Sequence, residues 1–159
     1  MAHDYDIIIL GAGTTAFAGA RIAATAGKKV AMIEKSHPGG TCVNWGCIPS
    51  KTLIHKAEMY YAARKGMRWG LNLHAGAPDC GTLMPLKAAA VETIRTTHYQ
   101  SELDNTKGIT LIRGHGRFVN PHEIRVKDQL YRAPQILIAT GGKPRSVALP
   151  CLLYTSRCV

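Results

Sequence analysis

The sequence predicts an α/β fold: a parallel sheet flanked by helices and carrying a small antiparallel β-meander. Three observations carry that expectation. The run Ile7-Ile8-Ile9-Leu10 is short, continuous and apolar, the pattern of a parallel strand covered on both faces. It leads into Gly11-Ala12-Gly13, then a stretch of small helix-forming residues, then a second apolar run ending in an acid, Glu34. Between residues 109 and 126, short runs of apolar residues alternate with turn residues, which reads as a meander.

The first strand spans Asp4 to Leu10. The hexapeptide Gly11-Ala12-Gly13-Thr14-Thr15-Ala16 fits the dinucleotide-binding fingerprint G-x-G-x-x-[GA] of a Rossmann-like unit. Gly11 permits the tight turn, Gly13 lets the backbone approach a pyrophosphate, and Ala16 keeps the helix close to the sheet. Phe17 to Ala26 continues that helix, and Gly27 stands where a C-cap is expected. The second strand, Lys29 to Glu34, ends in a carboxylate suited to ribose hydroxyls, while the helix N-terminus faces the phosphates. The fingerprint alone does not separate one dinucleotide from another.

The next stretch is Gly39-Gly40-Thr41-Cys42-Val43-Asn44-Trp45-Gly46-Cys47-Ile48-Pro49-Ser50-Lys51. In a regular helix, residues five apart are separated by about 7.5 Å along the axis, whereas a disulfide needs Cα atoms within about 7 Å. Cys42 and Cys47 can therefore bridge only if the helix is broken between them, which Gly46 permits. Pro49 suits the first turn of a helix, so Cys47 sits by a helix N-terminus, where a thiolate is stabilised. A cysteine pair with one activated thiol describes a redox dithiol.

That string closely resembles the redox-active disulfide motif of the class I pyridine nucleotide-disulfide oxidoreductases, with Trp45 standing where a small aliphatic residue is usual. The resemblance implies FAD as the bound dinucleotide, held by Gly11, Gly13, Thr14, Thr15, Ala16, Glu34 and Lys35, with Gly40 and Thr41 at its phosphates. It implies a bridge between Cys42 and Cys47, with Cys47 as the flavin-side thiol and Cys42 as the thiol that attacks the substrate. Lys51 would lie near the flavin and stabilise negative charge on the reduced ring.

Pro49 to about Lys65 reads as a helix with an apolar face of Leu53, Ile54, Ala57, Tyr60 and Tyr61. His55 on it reads as a surface or packed histidine. Gly66 to Gly81 is loop-like, with Cys80 having no partner nearby, and a second long helix is expected from about Thr82 to Leu103. Strands follow at Ile109–Arg113, Gly116–Val119 and Glu123–Val126, with Asn120-Pro121-His122 as a turn. Gly114-His115-Gly116 resembles the family segment whose backbone contacts the adenine, which implies His115 and Gly116 as cofactor contacts. The last strand, Gln135 to Ala139, runs into Ala139-Thr140-Gly141, which resembles the signature closing the family's first FAD-binding segment.

The resemblance covers residues 4 to 150, giving an expected FAD-binding segment at 1–150 with its nicotinamide-binding and dimerisation domains absent. The tail 151–159, with Cys151 and Cys158, continues no element of the fold and reads as a non-native appendage to a truncated gene.

Composition bounds the rest. A chain of 159 residues, 46% hydrophobic and 19% charged, suffices for one domain with a core and is too apolar for disorder. No apolar run approaches the roughly 20 residues of a membrane span, and acidic residues occupy the start, where a signal peptide carries positive charge. A cytoplasmic location follows, where a retained cysteine pair is more often catalytic than structural. The net charge of +10 is scattered, with no interleaved aromatic platform, so it reads as a basic surface favouring an anionic cofactor rather than nucleic acid.

The expected function is an FAD-dependent NAD(P)H:disulfide oxidoreductase, homodimeric when complete, passing electrons from NADPH or NADH to Cys42–Cys47. The segments Ala16–Ala20 and Val91–Gly114 resemble the mercuric reductases, which makes Hg(II) a substrate at Cys42 and Cys47 rather than a resident metal. Dihydrolipoamide dehydrogenase is the alternative within the family. A nucleotide-binding module without catalysis is the alternative from another class.

Overall fold

A computed structural model describes residues 4–143. In chain order the elements begin with β1 (Ile7–Leu10), α1 (Thr14–Thr25), β2 (Val30–Glu34), α2 (Gly40–Asn44) and α3 (Cys47–Lys65). There follows a 3-10 turn at Gly66–Trp69, inside the stretch read from the sequence as a loop. Next come α4 (Cys80–Ile94), a π-helical turn at Arg95–Gln100, α5 (Ser101–Asn105) and the strands β3 (Ile109–Arg113) and β4 (Gly116–Asn120). β5 (Glu123–Val126), β6 (Gln129–Arg132) and β7 (Gln135–Ile138) complete the described residues. The tail 151–159, with Cys151 and Cys158, lies outside them.

The main sheet has four strands in the order β3-β2-β1-β7, and every pairing in it is parallel. β2 and β1 are the two interior strands, and β1 has Ile7 opposite Val30 on one side and Gln135 on the other. Its continuous apolar run is explained by its two covered faces. Ile8 and Leu10 pack with Ala31 and Ile33 against Ile124, Val126 and Ala133 of the meander region. Ile9 packs with Val30 and Met32 against Ala16, Phe17 and Ala20 of α1, supported by Tyr99 and Leu103. Ile8 and Ile9 are wholly buried, each contributing about 1.5–3 kcal/mol of hydrophobic stabilisation.

The meander is β4-β5-β6, antiparallel throughout. Ile109–Arg113, read from the sequence as part of it, instead pairs in parallel with β2 at the edge of the main sheet. β6 is an addition to what the sequence predicts. Its residues Gln-Leu-Tyr-Arg lack a strong strand pattern, and the two-residue turn Lys127-Asp128 before it has no glycine. Lys127 instead takes the left-handed conformation itself, at φ 54°. Arg132 on β6 pairs with Glu123 on β5, and this guanidinium holds the Glu123 carboxyl below the usual carboxylate range.

The cap expected at Gly27 is present. Gly27 has φ +71°, its N–H donates to Ala24 O at 2.9 Å and the Lys28 N–H donates to Ala23 O at 3.0 Å, the bond pair of a Schellman motif. A Cβ there meets nothing within 4 Å, so Gly27→Ala carries only the left-handed strain of about 1–2 kcal/mol. The thermal midpoint of the chain is expected to fall by roughly 2–8 °C, read by circular dichroism. An unchanged midpoint would show that this cap does not stabilise α1.

The long helix expected from Thr82 to Leu103 differs in two ways. It starts earlier, at Cys80, because the Asp79 carboxylate accepts from the Gly81 N–H at 2.8 Å and the Thr82 hydroxyl at 2.6 Å. It is also interrupted by the π turn at Arg95–Gln100. There the Thr96 hydroxyl donates to Glu92 O and Thr97 to Thr93 O, local side-chain bonds that compete with the regular ladder. Cys80 is an exposed free thiol at the start of α4, and His55 is exposed on α3. α3 itself has no buried residue, so the apolar face expected on it remains largely uncovered, with Ile54 and Tyr61 more than half exposed. No helix among the described residues is long and apolar enough to cross a membrane.

Candidate active site at the carboxyl edge of the sheet

β1 stands between β2, which follows it in the chain, and β7, which returns from the far end. In an open parallel sheet that reversal leaves a crevice beyond the carboxyl ends of the strands. A cleft of about 780 Å³ occupies this place, lined by the turn after β1, the loop from Glu34 to Gly40, the start of α2 and the segment after β7.

The loops around the cleft are tied by backbone bonds. Gly11 N–H donates to Ile33 O at 2.8 Å, Ala139 N–H to Leu10 O at 2.9 Å and Gly39 N–H to Ala12 O at 2.7 Å. Gly11 is at φ +106°, and a Cβ there would lie 2.3 Å from Ala139 O. Only glycine fits that crossing. The cap residue of α1, Gly13, offers no side-chain bond, and the first turn carries no acid. Its first N–H groups thus have no partner within the helix, which suits an anion. Gly40, at φ +61°, closes the other side: a Cβ on it would stand 2.8 Å from Gly13 Cα.

The Glu34 carboxylate accepts from the Ala12 N–H at 2.9 Å through Oε2 and from the Ser36 N–H at 2.8 Å through Oε1. Two bonds leave acceptor capacity on both oxygens. A pocket of about 290 Å³ adjoins this corner, sharing Gly11, Glu34, Lys35 and Thr140 with the cleft and adding Gly114, His115 and Gly116.

The helix breaks between the two cysteines, as the spacing requires. α2 ends at Asn44 and α3 begins at Cys47, with Trp45 and Gly46 between them and Gly46 at φ −118° and ψ −101°. The Cys42 and Cys47 Cα atoms are 4.7 Å apart and the pair is joined by a disulfide. Pro49 falls in the first turn of α3, where no N–H is needed. The Asn44 side chain, buried between the cysteines, donates through Nδ2 to Pro38 O at 3.1 Å and Gly40 O at 2.9 Å.

Among the residues read from the sequence, Gly11, Gly13, Thr14, Thr15, Glu34, Lys35, Gly40, Thr41, Cys42, Ala139, Thr140 and Gly141 line the cleft. His115 and Gly116 line the adjoining pocket. Ala16 does not face the cleft; it is fully buried between α1 and the sheet. Cys47 and Lys51 are exposed and lie outside the cleft lining, Cys47 reaching it through its bond to Cys42. Cys42 also borders a second pocket of about 390 Å³, among Phe17, Arg21, Ile48, His98 and Glu102.

The sequence reading missed Ala12, Ser36, His37, Gly39, Asn44, Trp45, Ile138 and Gly142 as lining residues. The signal for three of them was the turn composition Ser36-His37-Pro38-Gly39 directly after the strand that ends in Glu34. Trp45, at 71% exposure, forms part of the wall.

Comparisons with known proteins agree with this geometry. The family described as pyridine nucleotide-disulphide oxidoreductase matches residues 5–156. A mercuric reductase from Bacillus cereus is 39% identical over 150 residues, which is 94% of this chain and 24% of that protein. A dihydrolipoyl dehydrogenase from Chlamydia muridarum is 32% identical over 149 residues, 92% of this chain and 32% of its own length. Among solved structures, the HOCl-induced flavoprotein disulfide reductase RclA from Escherichia coli superposes with a TM-score of 0.73 at 30% identity. That match covers 92% of this chain and 30% of the other. The chain thus spans about a quarter to a third of the length of these relatives. With a parallel sheet, a glycine-lined crevice and on its wall Cys42, disulfide-bonded to Cys47, it belongs to the pyridine nucleotide-disulphide oxidoreductase family.

Proposed function

We propose that this chain is the FAD-holding, dithiol-bearing part of an NAD(P)H-dependent disulfide oxidoreductase, with Hg(II) as the substrate of the complete enzyme. The observation that carries the reading is the placement of the Cys42–Cys47 disulfide on the wall of a cleft built for a dinucleotide. The donor set fits FAD. The uncapped first turn of α1 and the Gly13–Gly40 approach suit a pyrophosphate, and the Glu34 carboxylate suits a ribose. FAD, when bound, would supply two-electron transfer between a nicotinamide and the cysteine pair.

The chain's own residues do the rest. Gly11, Gly13 and Gly40 bring backbone close to the phosphates, and Gly114, His115 and Gly116 form the corner suited to an adenine. Residues 1–150 make up this segment, and nicotinamide binding and dimerisation belong to the remainder of a homodimeric, cytoplasmic enzyme. Reduction of the disulfide places two electrons on Cys42 and Cys47 and one proton on Cys42, the second proton passing to solvent. Cys47, at the first position of α3, is the thiol that the helix N-terminus holds as a thiolate. Cys42 borders the second pocket, through which a substrate reaches its Sγ without entering the dinucleotide cleft. Lys51 follows one turn later on α3 and supplies positive charge beside the pair.

Two soft thiolates suit Hg(II), and relatives named mercuric reductase at 38–39% identity favour it. Dihydrolipoamide is the second reading, favoured by dihydrolipoyl dehydrogenases that match over the same share of the chain. Hg(II)-dependent NADPH consumption by the complete enzyme selects the first. Fast dihydrolipoamide oxidation without it selects the second.

The 159-residue chain alone is expected to bind FAD weakly or not at all, because Glu34 and the Cys42–Lys51 stretch build only one wall of the flavin site. FAD binding is therefore tested on the complete protein. There Glu34→Ala is expected to weaken binding at least tenfold, about 1.4 kcal/mol. A complete protein that takes up no flavin, or equal affinity for Glu34→Ala, would contradict the assignment of the cleft.

A further inference from the structure

Asn44 lies between the two cysteines, at the last residue of α2, and it is the only buried polar side chain among the described residues. An asparagine amide offers two N–H donors and one oxygen with two lone pairs. Both sides are taken. Nδ2 faces the carbonyls of His37, Pro38 and Gly40 at 3.4, 3.1 and 2.9 Å. Oδ1 accepts from Arg95 twice, from Nε at 3.1 Å and from Nη2 at 2.8 Å. The third guanidinium nitrogen, Nη1, is held by Glu92. Arg95 comes from a position 51 residues away and opens the π turn that interrupts the long helix.

We infer that Arg95 is a positioning residue for the Cys42–Cys47 pair, acting through Asn44 to hold the broken helix in the conformation that keeps the two sulfurs together. This rests on the reading of the pair as redox-active. The planar fork of arginine presents Nε and Nη2 to one oxygen at once. With Oδ1 so fixed, the amide is oriented to tie the 37–40 turn to the end of α2. That places Gly40 against Gly13 and sets the path of Trp45-Gly46, across which the Cys42 and Cys47 Cα atoms approach to 4.7 Å. Removing Arg95 leaves Oδ1 buried without a donor, and a buried polar network with one member missing loosens as a unit. The freed loop spends less time with the thiols in contact, so the disulfide becomes easier to reduce.

The reaction that reads this out is exchange with dithiothreitol. The Cys42–Cys47 bond breaks and dithiothreitol closes its own ring disulfide. Of its two protons, one ends on the Cys42 sulfur and the other passes to solvent, leaving Cys47 as the thiolate. The chain and its variants are equilibrated with mixtures of reduced and oxidised dithiothreitol, alkylated, and the labelled peptides are weighed. Thermal midpoints are recorded beside them. Arg95→Met is expected to move the equilibrium about tenfold toward the dithiol, about 30 mV, and Arg95→Lys by less. The double variant Arg95→Met/Asn44→Ala is expected to shift no further than Asn44→Ala alone.

An Arg95→Met equilibrium equal to wild type, with only the thermal midpoint lowered, overturns the inference and leaves Arg95 a stabilising residue. Additive shifts in the double variant overturn the route through Asn44. If Asn44→Ala does not fold, the two Arg95 variants decide: a wild-type equilibrium in both overturns the inference. A wild-type pair that never interconverts overturns the redox reading itself, and this inference with it.

Discussion

Cys42→Ser and Cys47→Ser are each expected to abolish turnover of the complete enzyme, while differing in the spectrum of its reduced form. Neither single thiol can close a disulfide, so no two-electron cycle between dithiol and disulfide remains. The roles of the two are not equal. Cys47 opens α3, a helix of 19 residues, whose positive end is proposed to favour its thiolate. Cys42 sits before the break and borders both the cleft and the second pocket, the latter proposed as the route for a substrate. Family resemblance makes Cys47 the flavin-side thiol. Cys42→Ser should therefore keep a long-wavelength absorption band in the reduced, FAD-loaded enzyme, and Cys47→Ser should lose it. The reverse pattern would exchange the two roles, and residual turnover in either variant would contradict the dithiol cycle.

Gly11→Ala is expected to cost about 4 kcal/mol or more of folding stability, at the upper end for a single substitution. Two penalties combine there. The residue is held at φ +106°, and its added Cβ would lie 2.3 Å from Ala139 O and 2.9 Å from Ala139 C. Neither backbone can retreat, since Ala139 N–H is bonded to Leu10 O at 2.9 Å and Gly11 N–H to Ile33 O at 2.8 Å. Gly40→Ala acts on stability and on binding together. At φ +61° its Cβ would stand 2.8 Å from the backbone Gly13 Cα, which forces the two segments apart and occupies the gap proposed for the pyrophosphate. FAD affinity is expected to fall about a hundredfold, about 2.8 kcal/mol, with a smaller loss of stability. Gly76→Ala serves as the control, because a Cβ there meets nothing within 4 Å and its φ is ordinary. A Gly11→Ala chain as stable as Gly76→Ala would contradict the packing of the β1 turn. FAD affinity left intact by Gly40→Ala would contradict the phosphate assignment.

Much of this architecture was legible in the residues because local and tertiary demands agree. Ile7 to Leu10 reads as a strand buried on both faces, and both faces are in fact covered. Gly27 reads as a cap and forms one. The cysteine spacing required a helix break, and the break falls at Trp45-Gly46. What was not legible depends on partners distant in sequence. β6 exists because Glu123 and the left-handed Lys127 hold a weak strand former in place. The π turn arises from threonine hydroxyls competing for Glu92 and Thr93 carbonyls. The Arg95–Asn44 contact joins positions 51 residues apart, and nothing local at either residue announces it. Ala16 was read in both roles, as a cofactor contact and as the small residue that keeps α1 on the sheet, and its full burial in that core fits the second.

The most direct measurement is differential labelling of the cysteines in the oxidised and mildly reduced chain, resolved by peptide mass. Cys42 and Cys47 should be blocked before mild dithiothreitol treatment and fully labelled after it, returning to the blocked state on reoxidation, while Cys80 is labelled throughout. Labelling of Cys42 and Cys47 in both states, or of neither after mild reduction, would contradict a reversible redox pair on the wall of the cleft.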